Sequence, residues 1–146
     1  MRKIWLPTIS LLLVAVTLLI TIYYYLNAPS NKPMLTIEFN KPPPWIIRPG
    51  ENLTLIITIK NQGKDSAKNI GVNLTISKGF KITQSGINQY NEKFQEIRAG
   101  EEKVLVLTII LTDAIPPGDY PLTLIVHAEN TSPLTFNDKI TVQLPT

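Results

Sequence analysis

Most of the chain beyond residue 34 consists of short segments in which hydrophobic and polar residues alternate. A two-residue period is typical of β-strands with one buried face, because successive side chains point to opposite sides of a sheet. One further segment, Val104–Leu111, is almost continuously apolar, and we expect a strand covered on both faces or lying in a tight core. The alternating segments are, in chain order, Leu35–Phe39, Leu53–Ile59, Ile70–Ile76, Phe80–Ile82, Tyr120–Ala128 and Ile140–Leu144.

The breaks between these segments carry residues that favour turns. Glycine adopts positive φ at low steric cost, and we expect this conformation at Gly50, Gly63, Gly100 and Gly118. About seven short strands separated by such turns predict an antiparallel β-sandwich over residues 34–146. The segment Gln84–Gln95 lacks a clear period and is expected to be an irregular crossover between the two sheets.

The N-terminal segment has a different pattern. No charged residue interrupts Ile4–Tyr25, which as a helix would extend roughly 33 Å, enough for a hydrocarbon core of about 30 Å. Trp5 at one end and tyrosines at the other suit the two headgroup zones. We therefore predict a transmembrane anchor over residues 1–26 and a polar stalk over 27–33, with the lipid bilayer as partner of the helix.

Positive charge sets the expected orientation of this anchor. Arg2 and Lys3 precede the apolar run, so the N-terminus is expected in the cytoplasm and the C-terminal domain outside the cell membrane. A cleaved signal peptide is the first alternative, although Pro29 after Ala28 is a poor cleavage context. A leader of the archaeal pilin type is the second, although Ile4 follows Lys3 where such leaders usually have Gly or Ala.

Composition excludes several classes of function. The chain has no cysteine, which rules out disulfides, thiolate metal sites and thiol nucleophiles. Of its 14 basic residues, 12 lie outside the N-terminal pair and face 11 acidic residues, so the body is nearly neutral. Without a basic stripe to offset phosphates, binding to nucleic acid is not expected.

Several turn and strand motifs resemble those of one large family. The residues concerned are Ile47–Glu51 followed by Leu53–Gly63, then Ala67–Val72, Lys78–Phe80, Ala99–Glu101 and Pro116–Tyr120. They are similar to the Ig-like domains associated with α-galactosidases and archaeal cell-surface (S-layer-type) proteins, close to the cell-adhesion-related domains of bacteria. The resemblance implies a seven-stranded Ig-like sandwich, with Tyr120 as a tyrosine corner, and an accessory role without chemistry of its own.

No catalytic, metal-binding or cofactor-binding constellation is apparent, and we expect an absence of enzymatic activity. His127 is the only histidine. The alternation predicts that it points to solvent, on the side of the strand opposite to Leu124 and Val126. The turn carboxylates form no calcium-loop pattern and are expected to cap their own backbone. They are Asp113, Asp119, Glu129 and Asp138.

Candidate contact and modification sites lie elsewhere. Tyr90, with Asn88 and Gln89, suits adaptable polar recognition of a sugar or a protein. Trp45, after three prolines, is either a docking residue near the membrane or a cover for one end of the sandwich. Glycosylation sequons begin at Asn52, Asn73 and Asn130.

The sequence as a whole predicts a non-catalytic, membrane-anchored module at the cell surface that acts through protein or glycan contacts. One alternative is an accessory single-pass subunit of a larger membrane complex. Another is a subunit of a surface filament.

Overall fold

The computed structural model describes residues 5–26, 31–112 and 115–144, with the side chains of 5–13, 25 and 26 left aside. The chain forms two compact units, Met1–Ser30 and Asn31–Thr146. Most of the predicted stalk, residues 27–30, lies outside the described residues, as do Arg2, Lys3 and Asp113.

The first unit contains one helix, α1, at Trp5–Leu26, which is 22 residues long. The side chains described in it, from Val14 to Tyr24, are all exposed. Within the part of the chain that the structure describes, no helix combines the length and the apolar character needed to cross a membrane.

The second unit is an all-β sandwich of two sheets. Nine strands are present in the described residues, where seven were predicted: β1 Leu35–Phe39, β2 Trp45–Ile47, β3 Asn52–Asn61, β4 Ala67–Ile76, β5 Phe80–Ile82, β6 Gln89–Ile97, β7 Glu102–Leu111, β8 Gly118–Ala128 and β9 Thr131–Val142. One sheet has the order β1-β3-β7-β5 and the other the order β2-β9-β8-β4-β6. Every strand pair is antiparallel except β2 with β9, which is parallel.

The hydrophobic core lies between the sheets and follows the predicted alternation. In β3 the side chains of Leu55, Ile57 and Ile59 are buried, and the residues between them face outward. β4 and β8 contribute in the same way, with Val72 and Leu124 fully buried. The period-two pattern therefore identified the inward face of these strands correctly.

The prediction for Val104–Leu111 was wrong. β7 lies between β3 and β5 in the sheet, but only one of its faces meets the core. Leu105 and Leu107 are buried, whereas Val104 and Val106 are 52% and 54% exposed. Valine has a high intrinsic preference for strands, so an apolar residue on the outer face does not require a second covering layer.

Two strands were missed in the sequence. β6 occupies most of the segment that was expected to be irregular. Its pattern is weak because it is an edge strand whose inward residues Tyr90, Glu92 and Phe94 are only half-buried and include an acidic residue. β2 follows the prolines directly and is three residues long. β9 begins at Thr131, nine residues before the apolar pattern that predicted it, and its first part is exposed or half-buried.

Two turns of the same design lead into β3 and β7. In each, the amide of the fourth residue donates to the carbonyl oxygen of the first, from Glu51 to Arg48 at 2.9 Å and from Glu101 to Arg98 at 2.9 Å. The same glutamate side chains accept from the amides of Arg48 and Arg98, at 3.2 and 3.0 Å. The third residue is glycine, with φ of +84° at Gly50 and +77° at Gly100, as type II turns require.

Gly63 serves a different purpose from the one predicted. Its φ is not in the positive range, but a Cβ atom there would lie 2.7 Å from Cα of Pro33 and would overlap the neighbouring backbone of Lys32 and Met34. The β3–β4 loop thus approaches the chain before β1 so closely that only glycine fits.

Asn61, at the end of β3, fixes this approach. Its Oδ1 accepts from the amides of Met34 (3.1 Å) and Gly63 (3.0 Å), and its Nδ2 donates to the carbonyls of Asp65 (2.7 Å) and Ile97 (3.0 Å). The side chain is fully buried, with every polar atom paired.

Tyr120 has the hydrogen bond that the resemblance implied. Its hydroxyl donates to the carbonyl oxygen of Pro116 at 2.7 Å, and its ring meets Phe80 edge-on at 5.5 Å. The contact ties the segment before β8 to the strand, as a tyrosine corner does.

Candidate functional site

The outer face of the five-stranded sheet presents a continuous polar surface. Strand register places side chains of β6, β4, β8 and β9 in shared rows on this face, because directly opposed residues point the same way. Its central rows consist of amides and threonines, with one isoleucine: Gln89, Thr75, Thr123 and Asn137 in one row, and Asn91, Asn73, Ile125 and Thr135 in the next. We call these eight residues the amide face.

Next to the amide face, a glycine interrupts the following row. Gly71 in β4 is opposite Lys93 of β6 and His127 of β8. The imidazole of His127 leans over Gly71, so that a Cβ atom there would overlap the ring. Gly71, Lys93 and His127 line a depression of about 540 Å³, together with Asn69 and Gln95.

Ion pairs lie at the ends of this sheet face and leave its centre uncharged. At one end Nζ of Lys68 contacts Oε1 of Glu96 at 2.6 Å, and the hydrogen bond from Lys68 lowers the pKa of the Glu96 carboxyl. At the other end Lys139 Nζ lies 2.5 Å from Asp119 Oδ2, and this hydrogen bond lowers the pKa of Asp119 and raises that of Lys139.

The predicted contact residues of the β5–β6 region have unequal access to a partner. Tyr90 faces the core side and is half-buried; burial first, and then the adjacent Glu92 carboxylate, raise the pKa of its phenol. Its hydroxyl donates to Glu92 at 2.8 Å. Asn88 donates from Nδ2 to the carbonyl of Ile76 at 2.9 Å and so extends the β4–β6 pairing. Gln89 alone is exposed, on the amide face.

Trp45 lies in the core, 2% exposed. Its ring packs on Phe39 at 5.0 Å and Phe136 at 6.1 Å between centroids, and Nε1 donates to the carbonyl of Lys41 at 3.0 Å. The ring surface and the donor of Trp45 are thus both occupied within the sandwich.

The sequon asparagines differ in their surroundings. Asn52 is exposed at the start of β3. Asn130 is exposed but bonded at both ends of its amide, since Oδ1 accepts from the Lys68 amide and Nδ2 donates to the Ser66 carbonyl, each at 3.0 Å. Asn73 is half-buried in the middle of the amide face. A glycan attached to Asn73 would cover the amide face. A glycan attached to Asn52 would not, because Asn52 belongs to the other sheet.

Each of the described turn carboxylates has its own hydrogen-bond partner. Glu129 Oε2 accepts from Asn69 Nδ2 at 2.5 Å, and Asp138 Oδ1 accepts from its neighbouring amide in Lys139 at 2.8 Å. Among the residues that the structure describes, no three acidic or histidine side chains come close enough to hold a metal ion. His127 is exposed, on the face that alternation predicted.

Sequence reasoning singled out only Gln89 and, as a sequon, Asn73 from the amide face. The signal was present in the outward positions of the alternating strands, which are unusually rich in Asn, Gln and Thr. Their assembly into one surface depends on strand order, which the alternation alone does not specify.

Three solved structures illustrate the fold. The CARDB domain of a Pyrococcus furiosus protein, solved in complex with di-metal ions, has a TM-score of 0.58 at 20% identity over 80% of this chain and 99% of its own. Escherichia coli α2-macroglobulin, from domain MG7 to the C-terminus, has a TM-score of 0.59 at 16% identity over 80% of this chain, which spans only 17% of that one. AvmM, described as catalysing macrocyclization in alchivemycin A biosynthesis, has a TM-score of 0.52 at 10% identity, over 80% of this chain and 92% of its own.

These likenesses are to the fold and not to an activity. The CARDB and α2-macroglobulin domains are non-catalytic modules, while AvmM shows that a similar fold also occurs in a catalyst. No curated protein matches the chain. The association with α-galactosidases and archaeal surface proteins stays a prediction.

The family model for CARDB matches residues 32–133, which include β1 to β8 and the start of β9. The described fold agrees with this match, since it is all-β with two packed sheets. CARDB domains are non-enzymatic, adhesion-like modules of Ig-like fold. The chain therefore belongs to the CARDB family.

Proposed function

We propose that this chain is a non-catalytic recognition module, tethered at the outer surface of the cell, whose amide face contacts a protein or a glycan. The observation that carries the proposal is the amide face itself. Its eight positions are contributed by four strands and none is charged, whereas ion pairs lie at either end.

The chemistry of this face suits recognition. Amides both donate and accept hydrogen bonds and adapt to different partners, and threonine adds hydroxyl and methyl contacts on a rigid backbone. The centre of a typical interface is depleted in charged residues, since burying a charge costs more than burying a neutral polar group. A sheet also holds such side chains more firmly than a loop does.

The amide face is tested by removing its side chains without touching the core. In the variant Gln89→Ala, Asn91→Ala and Asn137→Ala, the affinity of the purified full chain for isolated envelopes of the producing cell should fall at least tenfold. The unfolding midpoint should stay nearly unchanged, because exposed substitutions usually cost within about 0.5 kcal/mol each.

A matched control alters the other sheet. The variant Thr54→Ala, Val104→Ala and Val106→Ala changes the same number of outward positions on β3 and β7 and should bind envelopes like the unaltered chain. Equal loss of binding in both variants would refute the assignment to the amide face.

The tether is supported by the charge-free run Ile4–Tyr25 and by the helical conformation of Trp5–Leu26. The test is to determine on which side of the membrane the C-terminal domain lies. Because the chain has no cysteine, Ser132→Cys introduces a single thiol on an exposed position of β9. A membrane-impermeant maleimide should label it in intact cells. Labelling only after lysis would contradict an external body, and recovery of the label in the medium instead of the membrane would indicate a cleaved leader.

A further inference from the structure

We propose that the depression beside the amide face binds the carboxylate of an acidic sugar residue, with Lys93 and His127 on either side of it. This inference rests on the proposed recognition role of the amide face and specifies the ligand class. The depression is defined by Gly71, Lys93, His127, Asn69 and Gln95.

The row across β6, β4 and β8 provides the space. Lys93 and His127 both lie opposite Gly71, so their Cα atoms are about two strand spacings apart, roughly 9.5 Å. The imidazole of His127 occupies the space over Gly71 that the Cβ of any other residue would fill. Glycine thus lets the ring lie close to the sheet, and the depression is bounded by this ring and by the side chain of Lys93.

The donors in this row are free. Within the described residues, no hydrogen bond or ion pair occupies Nζ of Lys93, the ring nitrogens of His127 or the side-chain amide of Gln95. Nearby Lys68 differs, because Glu96 holds its ammonium group at 2.6 Å. The free groups include an ammonium that only donates, and an acceptor-only anion satisfies it best.

The remaining charge near the depression does not cancel this preference. Glu129 contacts the lining residue Asn69, since its Oε2 accepts from Nδ2 of Asn69 at 2.5 Å, and Glu96, next to Gln95, is paired with Lys68. A volume of about 540 Å³ exceeds what one carboxylate needs and lies within the range of roughly 300–1,000 Å³ typical of small-ligand sites. The adjacent Asn73 and Asn91 offer hydroxyl-binding amides, which favours a sugar acid over an isolated anion.

The single histidine provides a direct reporter. The chain contains only His127, so the imidazole Cε1–H signal of the full chain in mild detergent is one resonance. Titration with a glucuronate-containing oligosaccharide should shift this resonance saturably. The same oligosaccharide with its carboxyl groups reduced to alcohols should bind at least tenfold more weakly, since it lacks the charge-assisted hydrogen bonds.

Two variants complete the test. Lys93→Met keeps the length of the side chain and should weaken binding of the acidic oligosaccharide about tenfold. Lys60→Met, on the other sheet, should leave it unchanged. Equal binding of the acidic and reduced oligosaccharides, or no effect of Lys93→Met, would overturn the carboxylate site. Tighter binding of an acidic peptide than of the oligosaccharide would overturn the sugar assignment.

Failure of this inference is distinguishable from failure of the proposed function. If no oligosaccharide binds but the amide-face variant still loses envelope binding, the carboxylate site is wrong and the recognition face stands. If the amide-face variant binds envelopes as well as the unaltered chain does, the proposed function is wrong, and the carboxylate site that rests on it is wrong too.

Discussion

The variant Ile57→Asp should lose cooperative folding. Ile57 lies in the middle of β3 and is completely buried. A carboxylate at this position would have no cationic or hydrogen-bonding partner in the core, and burying such a group costs several kcal/mol even if it takes up a proton. The free energy of unfolding of a domain is only roughly 5–15 kcal/mol, so this cost removes much or all of it. Circular dichroism during urea titration should show no sigmoidal transition.

A neighbouring residue provides the control for charge. Thr54→Asp introduces the same side chain into the same strand, but at an exposed position on the opposite face. It should retain a cooperative transition close to that of the unaltered chain. A cooperative transition in Ile57→Asp as well would mean that the register of β3 is wrong by one residue, since a one-residue slip exchanges its two faces.

Asn61→Ala should cause the second-largest loss. The substitution removes four hydrogen bonds and leaves two backbone amides and two carbonyls without their partner at partly or fully buried positions. At about 1 kcal/mol for each lost hydrogen bond, the free energy of unfolding should fall by roughly 3–5 kcal/mol. The urea midpoint should shift accordingly, with the slope of the transition unchanged.

The adjacent Gln62 separates the role of this side chain from that of the loop. Gln62 is exposed and contributes its backbone amide, which donates to the carbonyl oxygen of Met34 at 2.8 Å. Gln62→Ala keeps this bond and should change stability by less than about 0.5 kcal/mol. A similarly small effect of Asn61→Ala would show that water replaces the asparagine amide and that Asn61 does not fix the segment just before β1.

The core could be predicted from the sequence because burial leaves a period of two. Ile57, Val72 and Leu124 were all assigned correctly to the inward face. The pattern failed where burial is incomplete. β6 is an edge strand with Glu92 among its inward positions, and the outer face of β7 contains Val106, which strand preference favours even when exposed.

The candidate site was harder to predict than the core. Asn91, Thr123 and Asn137 belong to three strands and share one surface only because the order β9-β8-β4-β6 brings these strands into the same sheet. Nothing in the alternation specifies that order. Trp45 has the amphipathic ring of a contact residue and was a candidate for that reason, but its side chain is buried in the core.

The twin turns show where a motif was recognised and its mechanism was not. The family motifs Ile47–Glu51 and Ala99–Glu101 stand apart in the sequence, but the turns that contain them make the same hydrogen bonds and begin two paired strands. Repetition of this turn explains why glycine and glutamate recur at the same spacing.

The most direct test of the central claim is site-specific photo-crosslinking in living cells. A photoreactive amino acid at Asn91 samples the amide face, and the same group at Val104 samples the outer face of the other sheet; both positions are exposed. If the amide face contacts the partner, Asn91 should give a discrete adduct and Val104 none. An adduct from Val104 alone would contradict recognition through the amide face.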